Sequence, residues 1–298
     1  MSIEITCPKC DHVTVIDVAN AKDVHSCPVC GETLPNPPKK SKGLRNCGCA
    51  LLLLIFVFLM LPAVETARPA AQRMQCTNNI KQLLLAIHSY HDTYQALPPA
   101  SGPIGTKPVN DPEVYAPDAS EWSWRVRILP FNEGQSLYDA FNFNEPWDSE
   151  HNLTLAENLP CGLQCPSDRN STPNDVKMIN GHPIPLTNYV MITGPGTIGS
   201  PGENPLTLDD VKDGTDQTIM IVEVFGENRP AWTEPVDITL EDLARGINAE
   251  SGMSIGSRHP GGANVGFCDG SVHFFSEEIE IDLRRFGLID DGKIDDWN

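Results

Sequence analysis

The eighteen residues Cys47-Gly-Cys-Ala-Leu-Leu-Leu-Leu-Ile-Phe-Val-Phe-Leu-Met-Leu-Pro-Ala-Val64 carry no charge. As a helix rising ~1.5 Å per residue they reach ~27 Å, the depth of a bilayer core. The run therefore reads as a transmembrane helix. A signal peptide would place its charged region at the extreme N-terminus, whereas here a complete cysteine module comes first. A helix buried in a soluble core is the remaining reading of a run that is apolar all round. Lys39, Lys40, Lys42 and Arg45 crowd the N-terminal flank, which sets the N-terminus in the cytoplasm and the chain beyond Val64 outside. The expected molecule is a single-pass protein of a bacterial inner membrane, in contact with lipid through one span. Residues 1–33 form a small ribbon, 34–46 a Pro/Lys linker, 47–64 the span and 65–298 an extracytoplasmic domain.

Charge separates these parts further. The chain has 21 Lys/Arg against 40 Asp/Glu, and residues 47–298 hold 15 of the basic and 35 of the acidic groups. Such a domain repels nucleic acid, so none is expected as a partner. Acidity alone names no ligand, since its ordinary consequence is solubility.

Ten cysteines are grouped by position. Cys7-Pro-Lys-Cys10 and Cys27-Pro-Val-Cys30 are two CxxC pairs separated by sixteen residues, the spacing of a four-thiolate zinc ribbon. Each pair places two sulfurs on one turn, and two turns complete a tetrahedron. The predicted cofactor is zinc, held by Cys7, Cys10, Cys27 and Cys30 in a closed, structural site with no position left for substrate. His12 and His25 lie within this module as surface residues. Cys47 and Cys49 read as small apolar filler, with acylation as the alternative. Farther on, Cys161 and Cys165 are able to bridge each other, or Cys165 to pair with Cys76; the sequence leaves these pairings open. Any of Cys165 and Cys268 left free would be open to a thiol reagent outside the membrane.

Ile80, Leu83, Leu84, Ile87 and Tyr94 recur at helical spacing, which predicts an amphipathic helix over 71–94 stopped by Pro98-Pro99. Pro62 and Pro69 are expected to bend or interrupt it. The proline-rich stretch from Pro98 to Pro117 reads as a surface excursion. Trp122-Ser-Trp-Arg-Val-Arg-Ile-Leu129 alternates large apolar with polar residues, the pattern of a half-buried strand. Asn188 to Ile192 and Thr218 to Phe225 are further strands. A short helix over Glu241 to Gly246 is expected to be capped by Thr239, with Asp242 at its third position. Asp269-Gly270, between Asn264–Cys268 and Ser271–Phe275, reads as a two-residue type I′ hairpin turn. The fold class expected from these elements is α+β, one long helix followed by antiparallel strands.

Chemistry-bearing motifs are scarce. There is no nucleophile elbow, HExxH or Walker loop, and the Gly-rich Thr193–Gly199 lacks the lysine and helix of a phosphate cradle. His88 and His91 stand one helical turn apart without a matching third ligand. Ser257, His259 and Asp269 are a chance triple in so acidic a chain, and the tail Asp290–Asp296 lacks the alternating ligands of an EF-hand.

Several blocks, in order, resemble a known family. They are Leu61–Arg68, Arg73-Met-Gln-Cys-Thr-Asn-Asn-Ile-Lys-Gln82, His91–Tyr94 before Leu97-Pro-Pro99, Trp124–Pro130, Cys165-Pro-Ser-Asp168, Asn188-Tyr-Val190, and Asp213-Gly-Thr215 running to Glu223. The last is Ser257-Arg-His-Pro-Gly-Gly-Ala-Asn264 through Asp269-Gly-Ser271, in which His259 is followed after nine residues by Asp269-Gly270. Residues 60–276 thus resemble the pseudopilin-like domain of unknown function 1559, and the final block its prepilin-type processing-associated signature. The resemblance implies a long N-terminal helix, half in the membrane and half on an antiparallel sheet, as in pilins and type II secretion pseudopilins. It implies no established enzymatic activity, and protein partners among pilin or secretion components. His259, Asp269 and Gly270 would be structural parts of a hairpin. The family's leader, cleavage junction and glutamate inside the span have no counterpart here, where the ribbon takes the leader's place. A permanent tether is therefore expected rather than a polymerising shaft. The competing expectation is a ligand- or metal-binding outer domain in which His259, Asp269 and Glu223 converge.

Overall fold

The computed structural model describes residues 2–17, 26–34, 43–104, 121–168, 175–200 and 205–292, without the side chains of 2–3, 16–17 and 43–66. His25, most of the Pro/Lys linker, most of the proline-rich excursion, the side chains of Cys47 and Cys49, and the acidic tail from Lys293 lie outside the described residues. The chain divides into two compact units, Met1–Val64 and Glu65–Asn298.

In the first unit β1 (Ser2–Thr6) pairs antiparallel with β2 (Val13–Asp17). Helix α1 (Gly43–Tyr94) is continuous in backbone through Pro62 and Pro69, so of the two expected effects, bending or interruption, the second does not occur. The second unit continues with α2 (Trp124–Arg127), α3 (Gln135–Ala140) and α4 (Glu150–Ala156). A small hairpin, β3 (Val176–Ile179) with β4 (His182–Pro185), follows. A five-stranded sheet is then built from β5 (Tyr189–Thr193), β6 (Ile219–Glu223), β7 (Ile238–Thr239), β8 (Gly262–Phe267) and β9 (Val272–Ser276). The short α5 (Leu240–Leu243) follows β7, capped by a reciprocal Thr239–Asp242 box as the sequence indicates.

The sheet order is β7-β5-β6-β8-β9. Pairings β5–β6, β6–β8 and β8–β9 are antiparallel, and β5–β7 is parallel. Both faces are covered, which is why β6 and β8 are buried along their whole length. Ile80, Leu83, Leu84 and Ile87 share one core with Tyr189, Met191 and Ile221. Val190, Ile192, Val222 and Phe267 share the other with Leu243, Leu283 and Phe286.

Three expectations are corrected by this architecture. The pilin-like arrangement of a transmembrane helix on an antiparallel sheet does not describe it. The sheet is mixed, its second face is closed by the C-terminal segments, and much of the unit is short strands, single-turn helices and loops. Among the described residues no helix is long and apolar enough to cross a membrane, so the span and the single-pass inner-membrane location built on it are withdrawn. In the described part of α1, Arg68, Arg73 and Lys81 interrupt the apolar residues. Trp122–Leu129 is not a strand either. Ser123 has extended φ and ψ, its hydroxyl accepts from Arg125 N–H at 3.3 Å, and α2 begins there. The alternation misled because its polar members face inward: Arg125 and Arg127 are buried with Trp122, Trp124 and Val126.

The β8–β9 turn also differs from the two-residue form. Phe267 N–H donates to Ser271 O at 2.9 Å and Gly270 N–H to Phe267 O at 3.0 Å, so Cys268, Asp269 and Gly270 form a three-residue loop. Only Gly270 takes a positive φ, +88°, the pattern of a turn followed by a glycine bulge. One strand earlier, Gly266 sets how closely α1 approaches β8. A Cβ there would lie 2.6 Å from Ile80 Cγ2 and 3.0 Å from Leu84 Cδ1. Gly266→Val is therefore expected to destabilise the second unit by about 2 kcal/mol, read as a lower urea midpoint with an unchanged slope.

Candidate functional site

The ribbon presents two equivalent turns. Cys7 O accepts from Asp11 N–H at 3.1 Å and Cys7 N–H donates to His12 O at 3.0 Å. In the second turn Cys27 O accepts from Gly31 N–H at 2.9 Å and Cys27 N–H donates to Glu32 O at 2.8 Å. The residue after each second cysteine has positive φ, +55° at Asp11 and +72° at Gly31. These folds bring the sulfurs of the two pairs together. Cys7 Sγ lies 3.6 Å from Cys30 Sγ, and Cys10 Sγ lies 3.6 Å from Cys27 Sγ. With metal–sulfur bonds of about 2.3 Å, a tetrahedron has edges of about 3.8 Å, so the four sulfurs fit one ion. The cluster Cys7, Cys10, Cys27 and Cys30 could hold a metal ion. Backbone hydrogen bonding from Val29 leads the causes that bring the Cys27 thiol down to about 6. Cys30 is pushed up to about 12: a bond from Glu32 lowers it, but burial and the sulfurs of Cys10, Cys7 and Cys27 outweigh that. Four thiols so close do not ionise together without a cation.

In the second unit Cys76 of α1 and Cys165 form a disulfide with Cα atoms 5.5 Å apart, which resolves the pairings the sequence left open. Cys161 is free and exposed; Cys268 is free but buried, and burial raises its thiol pKa. Cys161 is accordingly the thiol open to a reagent, not Cys165 or Cys268. His259 and Glu223 meet beside the disulfide: His259 Nε2 is 3.6 Å from Glu223 Oε1 and 3.5 Å from Cys165 Sγ. Asp269 does not join them, because it sits at the exposed β8–β9 turn, where its Oδ1 accepts from Ser271 N–H at 2.8 Å. Nor does a Ser257–His259–Asp269 triad assemble. Ser257 Oγ donates to Gly262 O at 2.6 Å and accepts from His259 N–H at 3.0 Å, so its hydroxyl organises its own loop. His88 and His91 are absent from the groups of metal-ligating side chains found among the described residues.

Around this cluster runs a polar network that the sequence reading did not single out. Asn188 Nδ2 donates to Asp168 Oδ2 at 2.7 Å and to Val224 O at 2.9 Å, while its Oδ1 accepts from Cys165 N–H at 2.9 Å and Arg229 at 3.2 Å. Asp168 also pairs with Arg229 at 2.9 Å and Arg258 at 2.7 Å, and Arg229 binds Asp175. A second link runs from α1 to the sheet. Thr77 Oγ1 donates to Asn264 Oδ1 at 3.1 Å, and Asn264 donates through its backbone and side-chain nitrogens to Glu223 Oε2 at 2.7 and 2.8 Å. The available signal was placement: Cys76, Cys165, Asp168, Asn188, Glu223, Arg258, His259 and Asn264 all belong to the separate blocks that carried the family resemblance. Since Asn188 satisfies four groups at once, Asn188→Leu strands buried donors and acceptors. A loss of about 2–3 kcal/mol is expected, measured by equilibrium unfolding.

A disulfide-tied domain on a mixed five-stranded sheet, with histidine, carboxylate and arginines gathered behind the bridge, is the class these observations define. A family model described as protein of unknown function, DUF1559, matches residues 65–237 and 226–282, and the chain belongs to this family. No curated protein and no solved structure matches it.

Proposed function

We propose that this chain is a non-enzymatic protein-contact module: a zinc-holding ribbon joined to a disulfide-tied domain, acting on pilin or secretion components in envelope assembly. The observation that carries this reading is the closed four-cysteine site. Four protein ligands complete a tetrahedron and leave no open position for a reacting group, which suits zinc in a structural role. The ribbon it would hold together exposes Val13 and Val15 on β2 and Val29 in the second cysteine turn at 50%, 62% and 65% of their surface, apolar area suited to a partner. In the larger unit the Ser257 hydroxyl is committed to its own loop, donating to Gly262 O and accepting from His259 N–H.

Metal analysis of the purified full chain tests the ribbon directly. One tightly held zinc per chain, lost on Cys10→Ser, is the expected result; a chain that folds its ribbon metal-free, or prefers a non-thiophilic cation, contradicts it.

A further inference from the structure

The Cys76–Cys165 bridge, Glu223 and His259 come together for no reason that loop closure requires. A disulfide needs only its two cysteines, and apolar neighbours would serve it. Here Glu223 and His259 are 1% and 3% exposed, and Glu223 Oε1 has no hydrogen-bond partner. A buried carboxylate oxygen left in that state is costly. It points toward the same spot as His259 Nε2 and the two sulfurs, and one donor atom from each of the four residues lies within 4.8 Å of the others.

The separations are informative. At 3.6 Å His259 Nε2 stands too far from Glu223 Oε1 for a hydrogen bond, and at 3.5 Å from Cys165 Sγ it makes only a weak contact of the length usual for sulfur. For bonds of about 2.0–2.3 Å, tetrahedral edges are about 3.5 Å between nitrogen and sulfur and about 3.3 Å between nitrogen and oxygen. The flanking groups are those that orient metal ligands. Ser167 Oγ is 3.4 Å from His259 Nδ1, on the far side of the ring from Nε2. Asn264 holds Glu223 Oε2 with two donors and so turns Oε1 toward His259. Ser257 Oγ fixes the His259 backbone at 3.0 Å, and Asn188 fixes that of Cys165 at 2.9 Å.

We propose that these four residues form a redox-gated metal site: with the bridge reduced, the thiolates of Cys76 and Cys165, His259 Nε2 and Glu223 Oε1 bind one zinc-class divalent cation. The reductant is a dithiol, which delivers two electrons and two protons, becomes a disulfide itself and converts the bridge to two thiols. The cation then displaces those two protons as the thiolates coordinate it. The buried sulfurs exchange through local opening of the fold. Two thiolates with nitrogen and oxygen donors suit zinc better than the hard, all-oxygen cations. Either cross-link, covalent or metallic, ties α1 to the segment 89 residues later, so the unit keeps its closure in both redox states.

The test uses the full chain, titrated with zinc before and after treatment with a dithiol and anaerobic desalting. Reduction is expected to add one tightly bound equivalent, and His259→Gln to abolish that increment. Should the ribbon not hold zinc, the oxidised protein takes up none, while the increment still appears; the two readings thus fail separately. An increment that His259→Gln leaves intact belongs to other cysteines and overturns the proposal, as does no increment at all. A second measurement covers a variant that does not fold. Re-formation of the Cys76–Cys165 bridge in the reduced wild-type protein is followed by peptide mapping. Zinc at about 100 times its dissociation constant should slow it roughly 100-fold, and an unchanged rate overturns the site.

Discussion

Asp237→Ala is expected to destabilise the second unit by about 3–5 kcal/mol, the scale for stripping one partner from a buried ion pair. Arg125 is wholly buried, and its guanidinium reaches Asp237 Oδ1 at 2.6 Å. The same oxygen accepts from Trp124 Nε1 at 3.0 Å and Met191 N–H at 2.8 Å, linking α2 to β5. The remaining donors of Arg125 go to Tyr189 O, Ser123 Oγ, Glu234 O and Val236 O. Alanine therefore leaves a desolvated cation, an indole N–H and a strand amide without their common acceptor. The intact pair need not be a net asset. Burial raises the Asp237 carboxyl to about 6 even with Arg125 beside it, so desolvation offsets much of the attraction. A double replacement of Arg125 and Asp237 by apolar residues should accordingly cost less than Asp237→Ala alone, a difference that chemical denaturation of the single and double variants reads directly.

Cys27→Ser should have the larger local effect. Among the described residues the ribbon's apolar core consists of little beyond Cys7, Cys27 and Leu34, and a two-stranded hairpin of five residues a side is marginal in water. Metal binding supplies folding free energy in such modules, about 10–16 kcal/mol for structural zinc. Losing one thiolate, or chelating the ion, is expected to expose the amides of residues 2–17 and 26–34 to rapid hydrogen exchange. The unfolding transition of the second unit, which has its own cores, should stay where it is. Slow exchange persisting in metal-free protein would show that the hairpin stands by itself.

What the sequence revealed follows from the range of the forces involved. The CxxC spacing is a local code, and both turns are where it puts them. The apolar spacing of Ile80, Leu83, Leu84 and Ile87 is likewise local, and that face of α1 is buried. The Thr239–Asp242 cap was legible for the same reason. Alternation failed at Trp122–Leu129 because it marks a strand only when polar side chains face water, and Arg125 finds its partner 112 residues away. The parallel addition of β7 to β5 could not be read because it rests on two residue pairs. Beside the disulfide, the convergence of His259, Asp269 and Glu223 was the competing expectation; His259 and Glu223 do meet there, while Asp269 stays at its exposed turn. Asn188 stood in the sequence only as the start of a strand and a member of a family block, because a neutral amide gains its importance from the four groups folding brings to it.

The measurement closest to the central claim is photo-crosslinking from a probe at Val29, on the exposed edge of the ribbon. In the cell that makes this protein, the account predicts a crosslink to a different chain, a pilin or secretion component, that disappears with Cys27→Ser. Crosslinks only to copies of itself, or a crosslink that survives loss of the ribbon's fold, would contradict it.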